Sequence, residues 1–402
     1  MEDGVYITGL GVISSLGEGI EQTLNAILAE RSGISSIRYL HTSHTDLPVG
    51  EVGMSNSELA VKLNLSYPES ELRTVMLGII AGKEAVKSAS LNEDDFRRTA
   101  FINGTTVGGM DMTEQAFGKV FANEANCPEV KDMKYNDCGC STELIAKELG
   151  KFKTMATIST ACSSAANAVI FGANLIKAGV VDIAVVGGAE ALTRFHVNGF
   201  NTLMILDHEQ CKPFDQNHCG INLGEGAAYI VIESEKSMHR RGVKPYAMLK
   251  GFANTCDAFH QTATSDNGEG PYLSMRNAMD MAGLSPEDID YVNTHGTGTP
   301  NNDSSELNSM KRLWTTKCPR YSSTKAFTGH TTSASGAIEA VICLLAIKHS
   351  FIPTSLGCTV PMDMLYKPVM ETIKDIPLRN VLMNSFGFGG NDTSIVFTAT
   401  AN

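Results

Sequence analysis

The chain has 402 residues, 43% hydrophobic and 19% charged, with a formal net charge of -12. That composition supports a large packed core and excludes disordered and fibrous classes, while the acidic balance opposes sequence-independent binding to nucleic acid or anionic lipid. The longest unbroken apolar run, residues 340–347, is far shorter than the roughly 20 residues of a membrane span, and the acidic start carries no export signal, so a cytoplasmic protein with ten reduced cysteines is expected.

The 37 glycines suit an α/β layered fold with tight strand-to-helix turns. In chain order, short β-branched runs at 5–8, 100–103, 156–159, 183–186, 228–232 and 394–397 predict buried strands. After the first of these, Gly9-Leu10-Gly11 imitates a dinucleotide fingerprint, with Glu30 placed 19 residues past Gly11. Ser14 stands where that motif needs its third glycine, so the segment reads as a tight turn instead. Helices are predicted over 71–88, 165–177, 273–281 and 337–348. The segment 165–177 is apolar nearly all round, which marks a helix enclosed by the protein. A polar break at 236–245 predicts two closely packed halves, 1–240 and 241–402. Residues 161–179 lie against 332–350 without a gap but match at only four positions, a weak sign of an internal repeat.

Cys162, in Thr160-Ala161-Cys162-Ser163-Ser164, sits where an apolar strand turns into the enclosed helix. Unpaired amides and the dipole at a helix N-terminus lower a thiol pKa, so this cysteine is the candidate nucleophile. Two histidines occupy turns after short strand-like runs: His295 in Thr294-His295-Gly296-Thr297-Gly298, and His330 in Phe327-Thr328-Gly329-His330, with Lys325 five residues before it. Each would hold an imidazole at the end of a sheet, where open α/β folds build their sites. The other eight histidines read as surface or structural. Neither Cys138-Gly139-Cys140 nor His218-Cys219 has a second ligand pair at usable spacing, so no metal and no cofactor are expected.

With these motifs the chain resembles the β-ketoacyl-[acyl-carrier-protein] synthases of the elongating I/II type. The resemblance spans nearly the whole chain and adds Ile7-Thr8-Gly9-Leu10-Gly11, Gly224-Glu225-Gly226-Ala227, Asp257-Ala258-Phe259-His260 and Asn384-Ser385-Phe386-Gly387-Phe388-Gly389-Gly390. It implies the thiolase fold, two similar five-stranded halves stacked as α-β-α-β-α layers. It implies that Cys162 takes an acyl group, and that His295 and His330 donate N–H groups to the enolate of a decarboxylating malonyl thioester. Backbone N–H groups of Cys162 and Phe388 would form the oxyanion hole, and Phe388 would also act as a gate. Lys325 would tune His330, with Glu339 and Glu306 as supporting carboxylates. Acyl carrier protein would be the partner, in a homodimer or in a heterodimer with another ketosynthase.

Departures from the family pattern bear on partners and substrate. Gln216-Asn217-His218-Cys219 replaces a charged segment, which predicts the loss of a structural salt bridge, and Asn391-Asp392 replaces Thr-Asn. Near 67–73, where relatives carry basic residues, this chain has Glu69 and Glu71, leaving Lys62, Arg73, Lys212, Arg240 and Arg241 as candidates for carrier docking. The resemblance covers fatty-acid, aryl-polyene or flexirubin-like and polyketide ketosynthases. A catalytically silent chain-length factor is a further alternative, opposed by the presence of Cys162, His295 and His330. A cysteine hydrolase leaves the second histidine unexplained, and a thiolase needs a late cysteine that the Phe386–Gly389 turn lacks.

Overall fold

The computed structural model describes residues 4–66, 69–121 and 128–400. The first half is built from β1 (Val5–Ser14), α1 (Arg73–Ser88), β2 (Thr99–Gly104), α2 (Cys138–Leu149), β3 (Thr154–Ile158), α3 (Ser164–Lys177), β4 (Ile183–Glu190), α4 (Arg194–Thr202) and β5 (Gly226–Ser234). The second follows with β6 (Ala247–Cys256), α5 (Glu269–Ala282), β7 (Tyr291–Asn293), α6 (Pro300–Leu313), β8 (Arg320–Ser322), α7 (Ser335–His349), β9 (Asn380–Gly387) and β10 (Asn391–Thr398).

Sheet topology makes the weak sequence repeat explicit. The first half orders its strands β3-β2-β4-β5-β1 and the second β8-β7-β9-β10-β6, the same permutation of five. Directions match too. The two pairs nearest β3 and nearest β8 are parallel, and the two pairs toward β1 and toward β6 are antiparallel. β1 and β6 then join for three antiparallel residue pairs, so the two sheets share one hydrogen-bonded path.

Strand alternation assigns the layers. Along β5, Ala228, Ile230 and Ile232 share one hydrophobic core with α3, α7 and with Ile395 and Phe397 of β10. Ala227, Tyr229 and Val231, on the opposite face, pack with α1. In the second half Leu382 and Val396 turn outward onto α5 and α6. The result is the five-layer α-β-α-β-α sandwich, with α3 and α7 as its filling. The two filling helices touch closely: a Cβ on Gly336 would meet Cβ of Ala166 at 2.9 Å. Because α7 is surrounded, residues 335–347 are all buried, and the apolar 332–349 window is 83% buried inside the protein.

The four predicted helices and six predicted strands are present, with shifted ends. Strands β6 and β9 and helix α6 were not legible. α6 buries Leu307 and Met310 but also Asp303, Ser305, Glu306 and Ser309, so polar residues interrupt its apolar period. The glycines of the dinucleotide-like motif lie inside β1 rather than in a tight turn. A Cβ on Gly9 would meet the Ala85 carbonyl at 2.6 Å and one on Gly11 the Ala81 carbonyl at 2.1 Å, so these glycines let α1 lie against β1.

Candidate active site

β3 ends at Ile158, and the chain turns through Ala161, held at φ 51°, before α3 begins at Ser164. Ser164 closes this turn from both sides: its Oγ donates to the Ala161 carbonyl at 2.6 Å and accepts from the Thr160 N–H at 2.9 Å. Cys162 is thereby projected from the end of the sheet. Asn391 ties the turn to the second half, its Oδ1 accepting from Ser163 Oγ and from Asn167 Nδ2, both at 2.7 Å. The Asn391 substitution noted above thus serves the nucleophile turn directly.

His330 arrives from the second half, yet its backbone is fixed by the first: its N–H donates to Asn222 at 2.7 Å and its carbonyl accepts from Gly224 at 2.9 Å. Its Nε2 lies 3.0 Å from Cys162 Sγ. His295 is held by Glu306, which accepts from the N–H groups of His295 and Gly296 at 2.9 and 2.8 Å and from Asn384 Nδ2 at 3.0 Å. The two imidazoles stand edge to face, with ring centroids 5.3 Å apart and planes at 83°. Burial pushes both well below the usual histidine range, and the nearby Lys325 ammonium adds to the effect. Both rings are therefore neutral at physiological pH, each able to present an N–H donor.

Burial also decides the state of the nucleophile, against expectation. It pushes the Cys162 thiol up to about 12, outweighing Lys325 and the Phe388 backbone N–H, which favour the thiolate. The resting site pairs a thiol with a neutral imidazole, and the proton must leave sulfur as the new bond forms.

Lys325 Nζ and Glu339 Oε1 form a buried ion pair at 2.5 Å behind the histidines. Burial raises the Glu339 pKa, partly countered by Lys325. Removing either partner would leave an uncompensated charge in the interior. Glu306 is likewise raised, to about 7, chiefly by burial.

Cys162, His295, His330 and Phe388 all line one cavity of about 360 Å³, together with Phe200 and Phe386. The Phe388 N–H faces the Cys162 sulfur, as an oxyanion donor beside it should. Phe388 stacks on Phe200, a residue that sequence reading missed because an aromatic on α4 carries no local signal of its distant partner.

The docking candidates divide. Arg73 is a correction: its side chain is 8% exposed and bonds Glu225 at 2.6 Å, inside the Gly224–Ala227 motif. Arg241 is a second, buried between Glu233 at 2.6 Å and Asp95 at 3.3 Å. Neither is presented to a partner. Arg240 is a third: it pairs with Asp182, just before β4, whereas Cys162 follows the far end of β3, which runs in the same direction. Eight residues of strand at roughly 3.3 Å each separate those ends of the sheet. Lys62 is exposed and Lys212 half-buried, and they pair with Glu18 and Glu209. In the segment expected to lose a salt bridge, His218 Nδ1 lies 3.0 Å from the buried Asp303 carboxylate, a hydrogen-bonding contact.

The chain is similar to known proteins over nearly its whole length. Residues 2–237 match the family model for the beta-ketoacyl synthase N-terminal domain, and residues 246–359 match that for the C-terminal domain. A 3-oxoacyl-[acyl-carrier-protein] synthase 2 of Staphylococcus aureus (strain COL) is 32% identical over 407 residues, covering 98% of this chain and 97% of the relative. Among solved structures, the ishigamide ketosynthase/chain length factor superposes with a TM-score of 0.93 at 31% identity, covering all of both chains. A ketosynthase in complex with its chain length factor from Xenorhabdus doucetiae superposes with a TM-score of 0.82 at 29% identity, covering 99% of this chain and 98% of the other.

Proposed function

The chain belongs to the beta-ketoacyl synthase family of acyltransferases, and from that premise we propose that it is a 3-oxoacyl-[acyl-carrier-protein] synthase working through Cys162, His295 and His330. The observation that carries this reading is the 3.0 Å contact between Cys162 Sγ and His330 Nε2, with a second neutral imidazole in the same cavity.

In the first half-reaction Cys162 attacks the carbonyl of an acyl-carrier thioester. The sulfur passes its proton by way of His330 Nε2 to the departing carrier thiol, and the transient oxyanion takes the N–H groups of Cys162 and Phe388. In the second, a malonyl-carrier thioester loses carbon dioxide. The N–H groups of His295 and His330 hold the enolate oxygen, and the α-carbon attacks the acyl-Cys162 carbonyl to release sulfur. Two neutral rings suit this step because an N–H donor is needed and a proton held at an imidazolium would quench the carbanion. The Lys325–Glu339 pair positions His330 and biases it toward the neutral form, while Glu306 positions His295 through its backbone.

The reading places the reaction in the cytoplasm, with acyl carrier protein docking at the Cys162 end of the sheet, where Lys62 and Lys212 are the remaining basic candidates. It also pairs the chain with a second ketosynthase-fold subunit along the free edge of β3, where Met155 is 48% exposed. Fatty-acid synthesis is the leading pathway. A specialised polyene or polyketide pathway, with a chain length factor as the second subunit, is favoured by the two ketosynthase and chain-length-factor structures above. The test is direct. The purified protein should release carbon dioxide from malonyl-carrier protein and extend an acyl-carrier protein by two carbons, read by mass spectrometry, and Cys162→Ala should abolish extension. Extension retained in that variant would reject the mechanism.

A further inference from the structure

The two N–H groups that would hold the oxyanion come from opposite halves of the chain, that of Cys162 from the turn before α3 and that of Phe388 from the turn between β9 and β10. A hole of two donors works only if their spacing is fixed before the charge develops. The two backbones lie in contact. A Cβ on Gly387 would meet the Thr160 carbonyl at 2.8 Å and the Cys162 nitrogen at 3.3 Å, and Ser385 Oγ donates to the Cys162 carbonyl at 3.1 Å. Asn391 stands directly opposite Gly387 in the β9–β10 pairing. Its Oδ1 is the meeting point of three donors, each 2.7 Å away: Ser163 Oγ and Asn167 Nδ2 from the first half, and Asn254 Nδ2 from β6. Asn167 crosses the seam a second time, its Oδ1 accepting from Thr393 Oγ1 on β10 at 3.1 Å, while its Nδ2 also donates to Thr160 Oγ1 at 2.9 Å. One amide oxygen thus joins the residue after Cys162 to the strand that follows the Phe388 turn.

We propose that Asn391 is a positioning residue that sets the spacing of the two oxyanion donors by pinning the Phe388 turn to the Cys162 turn. This rests on the condensation reading above and deepens it. Because Asn391 stands where the family pattern has threonine, the three-donor pin is a feature of this chain. Acylation and condensation both pass through a tetrahedral oxyanion on the carbonyl bonded to the Cys162 sulfur. In acylation the bond from sulfur to that carbonyl forms, and the carrier thiol leaves with the proton that sulfur gave up. In condensation the malonyl α-carbon bonds to the same carbonyl, and the Cys162 sulfur leaves and takes a proton from solvent. Malonyl decarboxylation without an acyl donor does not use the hole. There the bond from α-carbon to carboxyl breaks, carbon dioxide leaves, and the enolate, held by His295 and His330, takes a proton from solvent and ends as acetyl-carrier. Loss of the pin should slow the first two reactions and spare the third.

The experiment measures two rates on the full-length enzyme by mass spectrometry: acyl-enzyme formation from acyl-carrier protein, and acetyl-carrier formation from malonyl-carrier protein with no acyl donor present. Asn391→Leu removes the acceptor with little change of shape. It should slow acylation about tenfold to hundredfold and leave decarboxylation within about twofold of wild type. A merely structural residue would lower both rates together. Equal losses in the two reactions, or no loss of acylation in folded Asn391→Leu, overturn the pin. Asn167→Leu breaks the same link from the first half and carries the same two-rate test should Asn391→Leu fail to fold. Wild-type protein that forms neither acyl-enzyme nor acetyl-carrier overturns the condensation reading instead, so the two failures are distinguishable.

Discussion

In the first half of the chain the turn before α3 holds Ala161 at φ 51°, and in the second the turn before α7 holds Thr332 at φ 47°. The ungapped match of 161–179 with 332–350 pairs these two residues, and it pairs Cys162 with Ser333. One backbone device is therefore built twice. Cys162 faces a cavity, the His330 ring and the Phe388 N–H. Ser333 is fully buried, and its Oγ has no hydrogen-bond partner among the described residues. A strained turn at the end of a sheet is not sufficient for reactivity. What differs is the opening in front of it and the groups the opposite half delivers there. The first half supplies the nucleophile, and the second supplies both imidazoles, the Lys325–Glu339 pair and the fully enclosed helix α7.

The largest expected effect tests that asymmetry. Cys162→Ser should lower condensation by at least about a thousandfold, and adding Ser333→Cys should restore nothing, because Ser333 does not line the cavity. Condensation regained in the double variant, followed by product mass spectrometry, would make the two turns functionally equivalent and break the comparison. Next, His295→Ala should cost roughly a hundredfold or more in kcat for malonyl decarboxylation while leaving acylation of Cys162 by acyl-carrier protein largely intact. Intact-mass measurement of the acyl-enzyme separates the two steps. Because both imidazoles are held well below the usual histidine range, the kcat profile should show no histidine ionisation from pH 8 down through about 6.5, and any bend there should be that of Glu306, raised to about 7, and vanish in Glu306→Gln.

Stability sharpens the comparison at smaller scale. Leu344→Ala in α7 should cost about 2–5 kcal/mol in urea unfolding, and Val169→Ala in α3 roughly half as much, since both side chains are fully buried but Leu344 leaves the larger cavity. Equal losses would show that the two filling helices contribute alike. The smallest effect concerns carboxylates on the matched strands β5 and β10. Glu233 and Asp392 each keep one buried carboxylate oxygen without a partner among the described residues, but Glu233 Oε1 accepts from Thr8 and from the Arg241 guanidinium, each at 2.6 Å. Burial pushes Asp392 up to about 8, with Asp257 and Glu306 adding to the shift. A carboxyl raised in the folded state loses stability as pH climbs from the unfolded pKa of about 3.9 toward 8. Asp392→Asn should therefore stabilise the protein by an amount that grows over this window, and add little near pH 4.

Local spacing made much of this protein readable. The enclosed helices 165–177 and 337–348, the Cys162 turn and the His295 and His330 loops are each written within a dozen or so consecutive residues, where period and small-residue chemistry act directly. Glu306 is different: it lies on a helix whose buried face mixes Leu307 and Met310 with Asp303, Ser305 and Ser309, so its hold on the His295 loop has no periodic signature. Arg73 and Arg241 looked like surface cations because their partners, Glu225 and Glu233, lie far from Arg73 or across a strand end, and only folding brings them within 2.6 Å.

The sequence by itself singled out Cys162, His295 and His330 as candidates through local pattern, and the layer order followed from the family resemblance that those motifs carry. Tertiary structure alone decided the charge states and contacts. The Cys162 thiol is raised to about 12 rather than lowered, because burial outweighs the nearby Lys325 charge and the Phe388 N–H. The Phe200–Phe388 stack joins residues from opposite halves. Desolvation and long-range contact are properties of the packed interior, and no single segment of the chain contains them.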